Sequence, residues 1–535
     1  MTRILPETLQ AHAAERPDAR ALVFLDDGER VATDLTYAEL DAEARIVARA
    51  LIGATEPGDR VLLIHQPGAR FIIDFLGCHY ADVVPVPIYP PIGHREIATG
   101  QRIAELTAPR AVLTDLGELC ADIAPDVPRI DSQVSMPDCA PDRRDSGPDH
   151  LALIQYTSGS TGDPKGVMVT HANLAANHAL THTRYRQPEE HVVIVSWLPL
   201  YHDMGLIGCS LYSLYTGGTA VLMSPLAFLQ RPIRWLRAIE TFQAHGTAAP
   251  NFAFELSVRR VSPDEVATLD LSCLRTALCG AEPIRWNTLE RFAEHFGAAG
   301  ISMDNFSPAY GLAEATLLVT GTQTGTAARA CRVPHNEDHQ YESYAVSNGV
   351  AENVVIVNGD ATPAPDDEIG EIWVHGDSVA AGYWGDEERT EETFGARIPG
   401  SEKRYLRTGD LGFVNHGELF VVGRLKDLLI VGGRNHYPSD LEQTVEQSSS
   451  DVRKGCVAVF QIDEDVVVAA ETRNDVDIDE LRRTVTLAVA RDHGVQVADV
   501  HAMSAGSIPK TSSGKIRRSD TRHLYLEATR SASSS

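Results

Sequence analysis

The stretch LALIQYTSGSTGDPKGVMVTHANL, residues 151–174, joins a short apolar run to a loop rich in glycine and hydroxyl groups. A short apolar run that ends at turn residues predicts a buried strand. Gly159, Gly162 and Gly166 follow it, and glycine permits backbone conformations that are closed to other residues. Successive backbone N–H groups in such a loop can converge on an anion. The stretch therefore predicts a strand followed by a phosphate-binding loop.

The same loop supplies hydroxyl donors and a positive charge. The residues predicted to bind phosphate are Thr157, Ser158, Gly159, Ser160, Thr161, Gly162 and Lys165. The spacing differs from the GxxxxGK[ST] motif, because Pro164 stands where the second glycine would be. A flexible surface linker is the alternative, but a linker does not need a lysine fixed by a proline between two glycines.

Length and charge exclude several classes of protein. The chain has 535 residues, too many for one ordinary core, which predicts a large unit with smaller ones. A net charge of −27 argues against DNA, RNA or an anionic membrane as the main partner. The eight cysteines show neither CxxC pairs nor zinc spacing, as in a reduced cytosolic protein. The N-terminus has no apolar signal region and no run is apolar enough to span a membrane, so we predict a cytoplasmic protein.

Short apolar runs alternate with helical patterns along most of the chain. The runs LALIQY, HVVIVSWL, TAVLM, LRTALCG and EIWVHG predict strands, and PIRWLRAIETFQAHG and WNTLERFAEHFG predict helices. This alternation indicates an α/β protein with largely parallel sheets. Near Gly423 the pattern changes, because GELFVVGRLKDLLIVGG predicts a β-ribbon and DIDELRRTVTLAVARDHG a helix.

We therefore predict two units. Residues 1–423 form a large N-terminal part of several subdomains with layered α/β sheets, which binds the substrates. Residues 424–427 form a hinge, residues 428–527 form a small, mobile α+β C-terminal domain of plausible size for one unit, and residues 528–535 form a disordered tail.

The loop YTSGSTGDPKG resembles the phosphate loop of the adenylate-forming superfamily, which includes acyl-CoA synthetases, luciferases and the adenylation domains of peptide synthetases. Further motifs follow in the order of that superfamily and cover nearly the whole chain. They are WLPLYHDMGL (197–206), GAEP (280–283), YGLAEAT (310–316), RTGDLG (407–412), GRLKDLLIVGG (423–433) and PKTSSGK (509–515). Chance agreement of this many motifs in order is negligible.

A narrower resemblance is to the fatty acyl-AMP ligases, which make acyl adenylates and pass the acyl group to a carrier protein rather than to coenzyme A. It is carried by VPVPIYPP (84–91), SWLPLYHDMGLIG (196–208), PNFAFELSVRR (250–260), YGLAEATLLVTG (310–321) and GRNHYPSDLE (433–442). In that subfamily an insertion follows the YGLAEAT region. Here residues 321–349 occupy its place and form a shorter segment.

The resemblance implies ATP and Mg²⁺ as cofactors and assigns catalytic roles to Lys515, Glu314 and His202. Adenylation brings an anionic carboxylate to an anionic phosphate, so catalysis means positioning and charge neutralisation, without a nucleophilic side chain. Lys515 would bridge the substrate carboxylate and the α-phosphate. Glu314 would bind Mg²⁺ with help from Thr161, because Mg²⁺ takes one or two carboxylates plus phosphate oxygens. The structural alternatives are a surface lysine and an acid at a helix N-terminus.

The remaining roles concern the nucleoside, the hinge and the acyl chain. Tyr310 would stack on adenine, and the other residues of the adenine-side motifs are Gly280, Ala281, Glu282 and Gly311. Asp410 would hold the ribose hydroxyls, and Arg424 would add a donor fork beside them. Lys426 matches the hinge position. His202 matches the gate of the acyl channel and Asp203 would orient it, with a purely structural role as the alternative.

Three hypotheses for function follow. The first is activation of a medium- or long-chain fatty acid and its transfer to a phosphopantetheinylated carrier protein. The second keeps adenylation but uses coenzyme A. The third is a non-catalytic nucleotide-binding relative, which the presence of Lys515, Glu314 and Asp410 disfavours. No serine-centred carrier motif follows Lys515, so we expect the carrier to be a separate protein.

Overall fold

The structure is a computed structural model, and it describes residues 3–91, 93–131, 143–157, 164–185, 191–334, 344–473, 476–510 and 515–533. Its strands are β1 (Arg20–Leu25), β2 (Val31–Thr36), β3 (Arg60–Ile64), β4 (Val84–Ile88), β5 (Ala111–Thr114), β6 (Leu151–Thr157), β7 (Lys165–Thr170), β8 (Val193–Ser196), β9 (Thr219–Met223), β10 (Gly246–Ala249), β11 (Thr276–Cys279), β12 (Phe306–Gly311), β13 (Leu318–Gly321), β14 (Ala330–Arg332), β15 (Tyr344–Val350), β16 (Val354–Val357), β17 (Gly370–Val374), β18 (Leu406–Asn415), β19 (Glu418–Arg424), β20 (Leu429–Val431), β21 (Arg434–His436), β22 (Val452–Ile462), β23 (Asp465–Thr472) and β24 (Val497–Met503).

The α-helices are α1 (Leu5–Glu15), α2 (Tyr37–Ile52), α3 (Ala69–Tyr80), α4 (His94–Thr107), α5 (His171–Tyr185), α6 (Tyr212–Thr216), α7 (Pro225–Gln230), α8 (Ile233–Thr241), α9 (Asn251–Arg260), α10 (Pro263–Val266), α11 (Trp286–Phe296), α12 (Glu387–Phe394), α13 (Pro438–Ser448), α14 (Ile478–His493) and α15 (Arg518–Ser533). Helices α8, α11 and α14 lie where the sequence predicted helices, and those predictions are confirmed. None of the helices in these described ranges is long and apolar enough to cross a membrane.

The largest sheet has the strand order β13-β12-β11-β10-β8-β9-β1-β2. Its inner strands, from β12 to β1, are parallel, and the two outer pairings are antiparallel. The predicted strands near residues 193, 219 and 276 are confirmed as β8, β9 and β11. These strands are short and almost wholly buried, as expected for parallel strands covered on both faces. A smaller parallel sheet has the order β4-β3-β5.

A second large sheet corrects the expectation of largely parallel sheets. It has the order β14-β15-β19-β18-β17-β16, and every neighbouring pair is antiparallel. The predicted strand EIWVHG is confirmed as β17, but it lies in this antiparallel sheet. The run of short strands after residue 344 contains one helix, α12, and hairpin-connected strands pair antiparallel with their neighbours.

The predicted phosphate loop connects strands β6 and β7 in the chain. The predicted strand over residues 151–156 is confirmed as β6, which ends one residue later, at Thr157, and β7 begins at Lys165. Thr157 and Lys165 are antiparallel partners, so both ends of the loop are held side by side. Residues 158–163 lie outside the described residues.

The C-terminal part contains the hairpin β20–β21, the sheet β22-β23-β24 and helices α13, α14 and α15. The predicted single ribbon over residues 417–433 is wrong, because β19 pairs with β18 and β15 whereas β20 pairs with β21. A 3₁₀ turn, Leu425–Asp427, separates them at the position of the predicted hinge. The prediction of a disordered tail from residue 528 is also corrected, since α15 continues to Ser533.

Candidate active site

A cavity of about 1160 Å³ opens between the large sheet and the C-terminal part. Its walls include Ala248 of β10, Leu278 of β11 and the end of β12, and Lys515 reaches it from the other side. Ligands of open α/β sheets bind at the carboxyl ends of parallel strands, and this cavity has that position. Drug-sized ligands occupy pockets of roughly 300–1,000 Å³, so the cavity has room for a nucleotide and a second substrate.

The described walls of the cavity carry eight Lys or Arg side chains and six Asp or Glu side chains. The cationic residues are Arg95, Lys165, Arg407, Arg424, Lys426, Lys510, Lys515 and Arg517. The chain as a whole has a net charge of −27. A local excess of positive charge in an acidic protein concentrates anionic ligands at that place. The cavity therefore suits a polyphosphate.

At the mouth of the β6–β7 hairpin, Thr157, Lys165 and Glu314 line the cavity together with Tyr383. The hydroxyl of Tyr383 donates a hydrogen bond to Glu314 Oε1 at 2.9 Å. The Lys165 ammonium lies 5.0 Å from the centroid of the Tyr383 ring, a cation–π distance. Burial lowers the pKa of Lys165. Sequence reasoning missed Tyr383, which stands far from both partners in the chain and carries no motif of its own.

Asp410 also lines the cavity and is held by two neighbours. The hydroxyl of Tyr310 donates to Asp410 Oδ2 at 2.8 Å, and Nε of Arg424 lies 3.2 Å from Oδ1. The carboxylate of Asp410 raises the pKa of Arg424, against the opposing effect of burial. Burial raises the pKa of Tyr310, so its hydroxyl remains a donor. The three residues predicted for the nucleoside thus form one connected group on the cavity wall.

The backbone closes tightly around the adenine-side motifs. Gly280, Ala281 and Gly311 all line the cavity. Ala281 has a φ of 68°, a region that non-glycine residues rarely adopt and that is often retained at functional sites. A Cβ on Gly311 would lie 1.9 Å from the carbonyl oxygen of Leu317, so only glycine fits there.

Among the predicted site residues that the structure describes, Glu282 differs from the rest. It is not among the described lining residues of the cavity, and its Oε1 accepts a hydrogen bond from the backbone N–H of Phe252 at 2.6 Å. Phe252 lies in the first turn of α9, where a carboxylate is favoured by the helix dipole. Burial raises the pKa of Glu282. The structure therefore shows a local contact for Glu282, and its predicted contact with the nucleotide stays a prediction.

Lys515 enters the cavity from the C-terminal part. Its charge interacts with the charges of Arg424, Asp203, Glu282 and Asp410. Burial lowers the pKa of Lys515, and the nearby Arg424 adds to this effect. Lys426 of the predicted hinge also lines the cavity, and burial lowers its pKa as well.

His202 lines the cavity with its Nδ1 atom 2.7 Å from Oδ1 of Asp203. Asp203 also accepts the backbone N–H of Met204 at 2.7 Å and caps a π-helix, Met204–Leu211. Burial opposes ionisation of Asp203, but the charge of His202 lowers its pKa overall. The predicted orienting contact between Asp203 and His202 is present. π-Helical turns are rare and occur mostly at functional sites.

Two glycines in this segment are required for different structural reasons. Gly208 lines the cavity, and a Cβ there would come within 2.9 Å of Leu317. Gly205 instead packs on the backbone, because a Cβ there would lie 2.3 Å from the carbonyl oxygen of Pro199. Beyond Gly208 the lining becomes mostly apolar, with Tyr185, Leu278, Ala309, Leu317 and Leu318. This part of the wall fits an acyl chain.

Five of the predicted phosphate-binding residues, Ser158 to Gly162, lie outside the described residues, and Thr161 with its predicted metal role is among them. The two ends of that loop, Thr157 and Lys165, line the cavity. The described residues thus bring together the predicted catalytic residues Glu314 and Lys515, the residues predicted for the nucleoside and the predicted gate residue His202.

Comparisons with known families cover nearly the whole chain. Residues 9–384 match the AMP-binding enzyme family. Residues 426–535 match the AMP domain of Disco-interacting protein 2-like proteins, and this match begins within the predicted hinge.

Curated relatives match over almost their full length. The medium-chain-fatty-acid–[acyl-carrier-protein] ligase JamA of Moorena producens is 38% identical, over 98% of this chain and 95% of its own. The long-chain-fatty-acid–AMP ligase FadD26 of Mycobacterium marinum is 39% identical, over 96% of both chains.

Solved structures show the same fold. A structure from work on fatty acyl-adenylate ligases of E. coli and L. pneumophila superposes with a TM-score of 0.90 at 30% identity, over 99% of this chain and 98% of its own. The fatty acyl-adenylate ligase of L. pneumophila, in complex with acyl adenylate and pyrophosphate, gives a TM-score of 0.76 at 36% identity, over 98% and 96% of the two chains.

Proposed function

Because the chain belongs to the AMP-binding enzyme family, and within it to the fatty acid–AMP ligases, we propose that it activates a medium- or long-chain fatty acid as acyl-AMP. The acyl group then passes to the phosphopantetheine thiol of a separate acyl carrier protein. One observation carries this proposal: Lys515, the Asp410 group and the apolar wall behind His202 line the same cavity. The predicted division at residues 424–427 and the cytoplasmic location stay predictions.

In the first step a carboxylate oxygen of the fatty acid attacks the α-phosphorus of ATP, and the bond to the β-phosphate oxygen breaks to release pyrophosphate. Lys515 neutralises charge on the carboxylate and the α-phosphate as they approach. Because the ammonium is partly shielded from solvent, its interaction with the developing charge is stronger than it would be in water. The roles of Lys515 and His202 are proposals that rest on this placement.

Asp410 is placed to accept the two ribose hydroxyls. Its carboxylate already accepts from Tyr310 and pairs with Arg424, which fixes its orientation before the nucleotide binds. Tyr310, Gly280, Ala281 and Gly311 surround the space for adenine. We assign the phosphates to the β6–β7 hairpin, where Lys165 supplies the charge.

The donor set at the phosphate end fits Mg²⁺. Mg²⁺ is bound by one or two carboxylates together with substrate phosphates, and Glu314 is a carboxylate beside Lys165 on this wall. No cluster of three potential metal-binding side chains occurs in the described part of the chain, so the phosphates would supply most ligands. Bound there by Glu314 and Thr161, Mg²⁺ would neutralise phosphate charge. Tyr383 holds one oxygen of Glu314 in place.

The acceptor of the acyl group, carrier protein or coenzyme A, is determined by access to the acyl adenylate and by motion of the C-terminal part. Residues 321–349 contribute β14 and the first strand residues of β15, which pairs with β19 just before the hinge. Val333 and Ala345 of this segment share an apolar cluster with Phe420 of β19 and with Tyr437 of the C-terminal part. This cluster supports a restraint on the C-terminal part and the choice of a carrier protein over coenzyme A.

Fatty-acid-dependent exchange of pyrophosphate into ATP tests the first step. We expect exchange with at least one medium- or long-chain acid. The Lys515→Ala variant should lose about 10²–10³ in rate, because it loses a preorganised electrostatic contact used mainly in the transition state. Its affinity for ATP should stay within about threefold of the wild type, because the contact contributes little to the ground state. Absence of exchange with every acid, or an unimpaired Lys515→Ala variant, would contradict the proposal.

A further inference from the structure

An ion pair joins the N-terminal part to the C-terminal part behind the cavity. Arg285 follows the adenine-side motif, and its Nη1 donates to Oε2 of Glu446, on α13, at 2.8 Å. The Glu446 side chain is 5% exposed and that of Arg285 is 34% exposed. Removing one partner of a buried pair leaves an uncompensated charge and costs far more than breaking an exposed pair. The pair therefore contributes to the seating of the C-terminal part.

Glu446 is also connected to the loop that carries Lys515. Its second oxygen, Oε1, accepts the backbone N–H of Gly455 at 2.8 Å. The carbonyl oxygen of Gly455 accepts from Nζ of Lys510 at 2.8 Å. Lys510 forms an isolated β-bridge with Ile516, the residue directly after Lys515. A continuous path of polar contacts thus runs from Arg285 to the neighbour of the catalytic lysine.

We infer that Arg285 and Glu446 are positioning residues for the adenylation step: together they hold the C-terminal part in the orientation that places Lys515 in the cavity. The inference rests on the proposed function. Arg285 is not among the described lining residues of the cavity, so it acts through Glu446 and not on the substrates. Under the proposed function the C-terminal part rotates away for the transfer step, which would open the pair.

A second ion pair joins the N-terminal and C-terminal parts, but it is weaker because it is more exposed to solvent. Nη2 of Arg95 lies 2.5 Å from Oδ2 of Asp520 on α15, but the Arg95 side chain is 55% exposed. Exposed pairs contribute about 0–1 kcal/mol because water and salt screen them. Arg95 and Asp520 therefore do not replace the Arg285–Glu446 pair when it is broken.

The test measures the two half-reactions separately in full-length protein. In Arg285→Met, which keeps the apolar stem, the kcat of acyl-AMP formation should fall about 10- to 100-fold, as expected for a half-buried pair. The KM for ATP should stay within about threefold, because the pair does not contact the nucleotide. Transfer from supplied acyl-AMP to the carrier protein should stay within about twofold, because the pair is open in that step.

Four further variants make the result specific. Glu446→Gln keeps an acceptor for Gly455, so the C-terminal part retains its fold, and it should show the same split between half-reactions. The double variant should be no worse than either single one, because residues that act as a unit are not additive. Arg285→Lys should recover part of the rate. Arg291→Ala removes a matched pair with Glu255, at 3.0 Å within the N-terminal part, and should leave both steps unchanged.

Several results would overturn the inference. They are unchanged acyl-AMP formation in Arg285→Met, equal losses in both half-reactions, and additive losses in the double variant. A wild-type protein that forms no acyl-AMP contradicts the proposed function instead, and so separates the two failures. Thermal unfolding of each variant shows whether a loss reflects the fold, and a loss shared by Arg285→Lys and Arg291→Ala would count against a positioning role.

Discussion

The hydroxyl of Tyr383 donates a hydrogen bond to Glu314 Oε1 at 2.9 Å, while the face of the same ring lies 5.0 Å from the ammonium of Lys165. One side chain thereby contacts both the proposed magnesium ligand and the proposed phosphate lysine. Burial raises the pKa of Tyr383, so the hydroxyl stays protonated and remains a donor. Tyr383 thereby contacts two groups of opposite charge that we propose face the same triphosphate.

Replacement of Tyr383 by phenylalanine should weaken magnesium-dependent adenylation. The variant keeps the ring under Lys165 and loses only the hydrogen bond to Glu314. A hydrogen bond to a charged group contributes about 1.5–3 kcal/mol, so we expect pyrophosphate exchange to fall about tenfold and the half-saturating Mg²⁺ concentration to rise. Tyr525→Phe, which removes a hydrogen bond to Asp499 at 3.1 Å outside the cavity, is the control. Equal magnesium dependence in both variants would refute a role for Tyr383.

Asp410→Asn should reduce the recognition of ribose. The carboxylate accepts hydrogen bonds, whereas an amide presents only one acceptor oxygen. We expect the Kd for ATP to rise about tenfold or more, as for loss of a charge-assisted contact. The wild type should bind 2′-deoxy-ATP more weakly than ATP, and the variant should bind both alike. Calorimetry with the two nucleotides measures this. A variant that still discriminates between them would assign ribose recognition to other residues.

The rate of adenylation should decline in alkaline solution at a lower pH than an ordinary lysine predicts. Burial and Arg424 lower the pKa of Lys515, so the ammonium loses its proton before a lysine in water does. The unfolded chain holds that proton to higher pH, so this group makes the free energy of unfolding rise with pH between the two pKa values. Below the pKa that it has in the folded protein, Lys515 is charged. In that pH range the charged side chain favours catalysis but lowers the free energy of unfolding.

A pH–rate profile of pyrophosphate exchange checks the origin of this decline. Lys165 and Lys426 also line the cavity with lowered pKa values, so the comparison needs a variant that titrates differently. Lys515→Arg stays charged throughout, and its residual activity should lack the alkaline decline. The same decline in Lys515→Arg would assign it to one of the other two lysines.

Lys426→Pro should impair one half-reaction far more than the other. Lys426 lies in the 3₁₀ turn between β19 and β20, where proline fixes φ, removes the N–H group and restricts Leu425. Rotation of the C-terminal part requires these dihedral angles to change. Lys426→Ala, which removes the side chain and leaves the backbone free, is the control. Equal losses of acyl-AMP formation and carrier loading in the proline variant, with an intact fold by circular dichroism, would argue against a hinge here.

Much of the fold could be predicted from local sequence patterns. The apolar runs that became β6, β8, β9 and β11 and the helix α11 have the periodicity that their burial requires. The sequence did not predict whether paired strands run parallel or antiparallel, because tertiary contacts determine which strands become neighbours. For this reason the antiparallel sheet around β18 and the division of residues 417–433 into two hairpins were mispredicted.

The candidate site shows the same limit. Motif residues such as Asp410 and Lys515 were found because each lies in a distinctive local stretch. Tyr383 and Arg285 contact partners that are distant in the chain, and no local pattern marks them. Glu282 lies within a motif but contacts Phe252, since membership of a motif does not determine where a side chain points.

The most direct test of the account places two acceptors in competition. Purified protein is supplied with ATP, Mg²⁺ and a medium- or long-chain fatty acid, with coenzyme A and a phosphopantetheinylated carrier protein at equal concentrations, and mass spectrometry identifies the products over time. We expect acyl-AMP first and then acyl-carrier protein, with little or no acyl-CoA. Acyl-CoA formed at a rate comparable to carrier loading would contradict it and make the protein an acyl-CoA synthetase.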